Sequence, residues 1–193
     1  MLDNIKKYQV RLGSKSPRRR ELMKELRIPF GIVSLGGVDE KYPDDIDPMK
    51  AAEYVAKIKA DAYLPHLDED DLLITADTMV ILGDRIMGKP YNAEEAMEML
   101  RSLSGCTHYV TTGVTITTKG RQVAFTSVTE VDFAEISDEE ARYYIDNYSP
   151  FDKAGAYGIQ EWIGCVAVAG IRGSYYNVMG LPVHRLYQEL KKF

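Results

Sequence analysis

Between Leu12 and Leu22 the chain reads Leu-Gly-Ser-Lys-Ser-Pro-Arg-Arg-Arg-Glu-Leu, an order that dictates a strand, a turn and a helix in succession. Tyr8 to Leu12 is strand-like and is ended by Gly13 and Ser14. Ser16 then stands as N-cap before Pro17 at the first helical position, and the helix predicted from there runs to about Leu26. The first turn of that helix carries Arg18, Arg19 and Arg20. Exposed N–H groups and the macrodipole already make a helix start positive, so each added cation costs about 0.3–1 kcal/mol. A bound polyanion reverses the sign of those terms, and arginine grips phosphate oxygens with paired hydrogen bonds. The Ser14 and Ser16 hydroxyls can add donors. The alternative is a solvated basic helix end offset by Glu21 and Glu25. No GxxxxGK[ST] loop occurs, so this is not a Walker site.

Further strands are predicted over Phe30–Ser34, Leu72–Ala76 with a resumption over Met79–Leu82, Arg85–Met87, Tyr109–Thr118, Val123–Ala134 and Ile163–Ile171. Further helices are predicted from Pro48 to about Tyr63, and over Ala93–Leu103, Ser137–Ile145 and Leu181–Leu190. Hairpins such as the one at Gly83-Asp84, mixed with crossover helices, imply an α/β fold with a mixed, strongly twisted sheet and flanking helices. A length of 193 residues suits one domain, residues 1–193, built as an α/β unit with two lobes.

A net charge of -5 argues against a dedicated nucleic-acid binder, so any phosphate site has to be a local cluster of Lys and Arg. No segment reaches the roughly 20 apolar residues that span a bilayer, and MLDNIKKYQV has no signal-peptide character. A cytoplasmic location is expected by elimination. Cys106 and Cys165 show no metal spacing and are expected to be buried free thiols. His66, His108 and His184 have neither metal nor triad spacing, and there is no GxSxG elbow.

Asp77 interrupts an otherwise apolar run, Ile74-Thr-Ala-Asp-Thr-Met-Val. Burying an unpaired carboxylate is costly, so Asp77 should sit at a strand end or bulge and meet a cation, a metal or a donor. That position suits a general base or metal ligand; the alternative is a local turn with Thr78. Lys89 in Gly88-Lys-Pro, Lys59 on the second long helix and Glu40 in the acidic loop are ordinary surface residues by spacing alone. In Phe151-Asp-Lys-Ala-Gly-Ala-Tyr-Gly-Ile-Gln, polar tips crowd two glycines, and Gln160 offers the donor and acceptor that a uracil or thymine edge requires. The same residues could merely satisfy the loop's own backbone. Gly173 to Pro182 reads as a second glycine-bounded loop.

Together, Ser14-Lys-Ser-Pro-Arg-Arg, Ala76-Asp-Thr, Gly88-Lys-Pro, Leu103-Ser-Gly-Cys-Thr-His, Asp152 to Gln160 and Gly173 to Pro182 resemble the Maf family of nucleotide pyrophosphatases over essentially the whole chain. The resemblance implies an inosine-triphosphate-pyrophosphatase-like fold with two lobes around a cleft, and a homodimer. It implies Asp77 as proton acceptor, phosphate contacts at Ser14, Arg18, Arg19, Lys59 and Lys89, and a magnesium or manganese ion at Glu40 and Asp77. Base selection maps to Arg18, Thr78 and Gln160, and the Ile159-Gln160 ending looks like the branch that prefers dTTP and UTP. The implied reaction is metal-assisted attack of water on the α-phosphorus, giving monophosphate and pyrophosphate. One rival is a nucleotide-binding regulator of growth or division without hydrolysis. The other is a nucleic-acid-binding protein, which the acidic balance disfavours. No nucleic acid or membrane partner is expected.

Overall fold

Ser16 accepts a hydrogen bond from the Arg19 N–H through its side chain, so helix α1 (Pro17–Glu25) starts directly after strand β1 (Gln9–Leu12) and the turn between them. The computed structural model describes residues 2–193. Strand β2 (Gly31–Ile32) is shorter than the predicted 30–34 segment. Helix α2 (Pro48–Tyr63) has Pro48 at its start, and the Asp47 side chain accepts from the Met49 N–H. Then follow β3 (Asp71–Leu82), β4 (Arg85–Met87), α3 (Ala93–Leu103), β5 (Thr107–Thr118) and β6 (Arg121–Phe133). Helix α4 (Asp138–Tyr148) carries a full capping box between Ser137 and Glu140. The chain closes with α5 (Trp162–Ala167), β7 (Val168–Arg172), α6 (Tyr175–Met179) and α7 (Val183–Leu190).

Among the described residues seven strands form one mixed sheet in the order β2-β1-β3-β5-β6-β7, with β4 paired to β3 off that path. Strand β1 runs parallel to β2 and β3, whereas β4 and β7 run antiparallel to β3 and β6. This is the mixed α/β sheet that the alternation of hairpins and crossover helices implies.

The chain divides into two compact units. One takes the residues up to Asp77 together with Thr112–Ser127 and Gly180–Phe193, and the other takes Thr78–Thr111 and Val128–Met179. In the first unit α2 lies directly on the sheet. Thr75 Oγ1 of β3 donates to the Ala56 carbonyl at 2.7 Å, and a Cβ added at Gly113 of β5 would lie 2.2 Å from the Glu53 Cα. Glycine is thus required there by close backbone approach. In the second unit α3 and α4 bury Met99, Leu100, Leu103, Tyr144 and Ile145 with Val110, Val131 and Phe133 of the strands. Each such side chain contributes about 1.5–3 kcal/mol when fully buried.

Four local expectations are corrected. Strand β3 runs unbroken through Asp77 and Thr78, because the aspartate finds a cation without leaving the strand. Residues 162–167 are helical and only 168–172 extend, where one strand over 163–171 was expected; a short apolar run fits either period. The Gly173–Pro182 segment contains helix α6. Cys106 and Cys165 are free but not buried, Cys165 being exposed. No described helix is long and apolar enough to cross a membrane.

Candidate active site

Three charged side chains of the first unit converge. Lys59, one turn from the end of α2, places its Nζ 2.7 Å from Asp77 Oδ1 and 3.0 Å from Glu40 Oε2. The Lys59 and Asp77 side chains are 14% and 19% exposed, which strengthens their attraction relative to a fully solvated pair; that of Glu40 is 54% exposed. The reason Asp77 tolerates its place in an apolar strand is therefore Lys59, 18 residues earlier, delivered by a helix seated on the same strand.

The helix start supplies more cations to this unit. Ser14 is buried; its Oγ accepts from the Ser16 N–H at 3.2 Å and lies 3.5 Å from an Arg19 terminal nitrogen. Arg19 Nε donates to the Gly180 carbonyl at 2.8 Å, which anchors the guanidinium on a second segment of the chain. Desolvation pulls the Arg19 guanidinium below its ordinary value and the like charge of Arg18 adds to this, while Asp77 and Glu40 oppose it. Those mutual influences put Arg18, Arg19, Glu40 and Asp77 within one electrostatic cluster, and an arginine remains charged there. Arg20 instead turns back to the Lys15 carbonyl at 3.2 Å.

Thr78, Lys89 and Gln160 belong to the second unit. Lys89 is exposed in the segment whose Gly88 carbonyl accepts from the Gly155 N–H at 3.0 Å, so the Gly-Lys-Pro turn and the Ala154–Ala156 turn are tied together. Gln160 is exposed directly before α5. Sequence reasoning missed Tyr144 and Glu161, which with Lys153 form a polar network beneath Gln160. Lys153 Nζ lies 2.8 Å from Asp152 Oδ1 and 3.1 Å from Glu161 Oε1, and Tyr144 Oη donates to Glu161 Oε2. Tyr144 and Glu161 are 17 residues apart, a separation that carries no local pattern.

The carboxylates of Glu40 and Asp77 are hard oxygen donors brought to one ammonium group. Among the described residues no set of three or more His, Cys, Asp or Glu side chains is placed to hold a metal. Two carboxylates nonetheless fit magnesium or manganese of the kind that keeps several waters and shares its shell with substrate phosphates. They do not make an all-protein cage.

Residues 9–193 match the family described as Maf-like protein. The chain is 55% identical over 193 residues to a dTTP/UTP pyrophosphatase of Parabacteroides distasonis, with 100% of both chains covered. It is 53% identical over 192 residues to a dTTP/UTP pyrophosphatase of Bacteroides thetaiotaomicron, again with 100% of both covered. Among solved structures, a HAM1 protein from Coxiella burnetii superposes with a TM-score of 0.51 at 13% identity, over 96% of this chain and 100% of that one. That last likeness concerns the fold alone.

Proposed function

The chain belongs to the Maf-like protein family, and on that premise we propose that it is a nucleoside triphosphate pyrophosphatase acting on dTTP and UTP. The observation that carries the reading is the Glu40–Lys59–Asp77 cluster, with both carboxylates within 3.0 Å of one ammonium and Arg19 in the same field. The full-length relatives named dTTP/UTP pyrophosphatase support the substrate class.

In this proposal Arg18, Arg19, Lys59 and Lys89 take the phosphate oxygens, with Ser14 as a further donor. A triphosphate competes with Asp77 for the Lys59 ammonium, so binding loosens the ion pair and frees a carboxylate oxygen of Asp77 to accept from water. Asp77 then takes a proton from a water molecule, whose oxygen bonds to the α-phosphorus while the bond from that phosphorus to the bridging oxygen breaks. The nucleoside monophosphate and pyrophosphate result, and the proton passes from Asp77 to solvent. The cationic groups stabilise charge that develops on the leaving pyrophosphate. A magnesium or manganese ion held by Glu40 and Asp77 supplies, when bound, further neutralisation of the phosphate oxygens. Thr78 and Gln160 contact the base, Arg18 contributing to its selection.

A panel of nucleoside triphosphates, assayed with magnesium, manganese or neither for monophosphate and pyrophosphate separately, tests the reading. Stoichiometric pyrophosphate from dTTP and UTP is expected. Tight binding with no pyrophosphate would leave a nucleotide-binding regulator instead.

A further inference from the structure

Gln160 ends in an amide with two chemically different sides, a carbonyl that accepts and an NH2 that donates. The Gln160 Nε2 lies 3.5 Å from Glu161 Oε1. The second oxygen of that carboxylate, Oε2, accepts from Tyr144 Oη, and Lys153 Nζ stands 3.1 Å from Oε1. Lys153 is itself buried and is also paired with Asp152 at 2.8 Å. Tyr144 Oη in turn accepts from the Gly158 N–H at 3.0 Å, so the network is tied to the loop it supports. The Gln160 and Glu161 side chains fold back over Gly158, where an added Cβ would lie 2.8 Å from Gln160 Nε2 and 3.0 Å from Glu161 Oε2. The Glu161 carboxylate is thus held from both sides by α4 and the Lys153 turn, and it faces the Gln160 amide.

A carboxylate only accepts hydrogen bonds, so it admits the nitrogen side of a neighbouring amide and repels the oxygen side. We propose that Glu161 is a positioning residue that locks the Gln160 amide in one orientation and thereby discriminates uracil and thymine from cytosine. Uracil and thymine present an N3–H donor beside the O4 acceptor, which an amide meets with its carbonyl on N3–H and its N–H on O4. Cytosine presents an N3 acceptor beside an N4 amino donor, which demands the same amide turned by half a rotation. An amide free to flip serves both bases; one held by Glu161 serves only the first pair. The inference rests on the proposal that Gln160 reads the base.

The experiment compares kcat/KM for UTP and CTP in the wild type and in Gln160→Ala, Glu161→Gln and Tyr144→Phe. Glu161→Gln can accept or donate and so releases the lock. It is expected to lower the UTP:CTP ratio roughly tenfold or more, the scale of a paired hydrogen-bond mismatch. Tyr144→Phe loosens the loop but leaves the acceptor opposite the amide, so it should lower both rates together and keep the ratio. Should Glu161→Gln fail to fold, Glu161→Ala, which deletes the acceptor, is expected to give the same fall in ratio. A wild type without preference for UTP, or a preference that survives Gln160→Ala, would remove the base-reading premise and this inference with it. A preference lost in Gln160→Ala but unchanged in Glu161→Gln would overturn the role of Glu161 alone.

Discussion

The Lys59 ammonium lies 2.7 Å from the Asp77 carboxylate, bridging a helix to the strand on which that helix is seated. The pair is therefore structural and chemical at once, and the two contributions separate on substitution. Asp77→Asn keeps an oxygen that can accept from Lys59, and Glu40 at 3.0 Å still neutralises the ammonium. We expect the thermal midpoint to move by only a few degrees, while kcat/KM on dTTP or UTP falls by about 10²–10⁴, the range of a lost general base. Near-wild-type turnover of the folded variant would remove Asp77 from the proton-accepting role.

Arg19 is anchored by Nε to the Gly180 carbonyl at 2.8 Å, which fixes the direction in which its planar group meets an anion. Lysine has a single charged nitrogen and cannot hold a carbonyl and a phosphate fork at once. Arg19→Lys is expected to keep the fold and to lower kcat/KM by about 10²–10³, the scale of one lost electrostatic donor. Steady-state kinetics beside a urea unfolding curve decides between lost chemistry and lost structure; equal activity would place Arg19 outside the site.

Much of this arrangement is legible in the amino-acid order wherever a local rule decides it. Ser16-Pro17 and Pro48 announce two helix starts, and both helices begin there. Asp77 stands out because an ionised carboxylate in an apolar run demands a partner, and it has one. The partner itself is not legible: Lys59 looks like any helix-surface lysine until α2 is laid on β3. Tyr144 and Glu161 are invisible for the same reason, since their contact joins α4 to a loop that closes only in the fold. The helix at Trp162–Ala167 reads as strand in the sequence because its six residues are too few for a period of 3.6 to declare itself.

Gly113 is the point where β5 meets α2. A Cβ there would lie 2.2 Å from the Glu53 N and Cα and 2.4 Å from the Ala52 carbonyl carbon, all backbone atoms that cannot rotate away. Gly113→Ala must therefore push the helix that carries Lys59 off the strand. Overpacking of this kind costs about 1–3 kcal/mol or more, and activity per folded molecule should fall as Lys59 leaves Asp77. Gly120→Ala, with nothing within 4 Å of the added carbon, serves as the control and should change stability by less than about 0.5 kcal/mol. Equal urea midpoints for the two variants would refute the close approach.

His108 is fully buried, with Nε2 2.7 Å from the Tyr157 hydroxyl and its ring edge-on to Phe133 and Tyr157 at centroid distances of 5.0 and 5.4 Å. Burial pushes its pKa from 6.5 down to about 4, with Asp132 pulling weakly the other way. The native imidazole is thus neutral at pH values where the unfolded chain has already bound a proton. Stability rises with pH wherever the unfolded state holds more protons, so this contribution is intact above about pH 6.5 and is lost as pH falls towards about 4. Below that value both states are protonated and no further loss accrues. The full shift corresponds to about 3 kcal/mol. His108→Gln leaves a neutral amide that can still meet the Tyr157 hydroxyl and does not titrate. Urea unfolding of both proteins across this window separates His108 from the carboxylates, whose titration is common to the two. The wild type should lose about 3 kcal/mol more than the variant between the upper and lower ends; parallel curves would show that His108 is protonated in the native state.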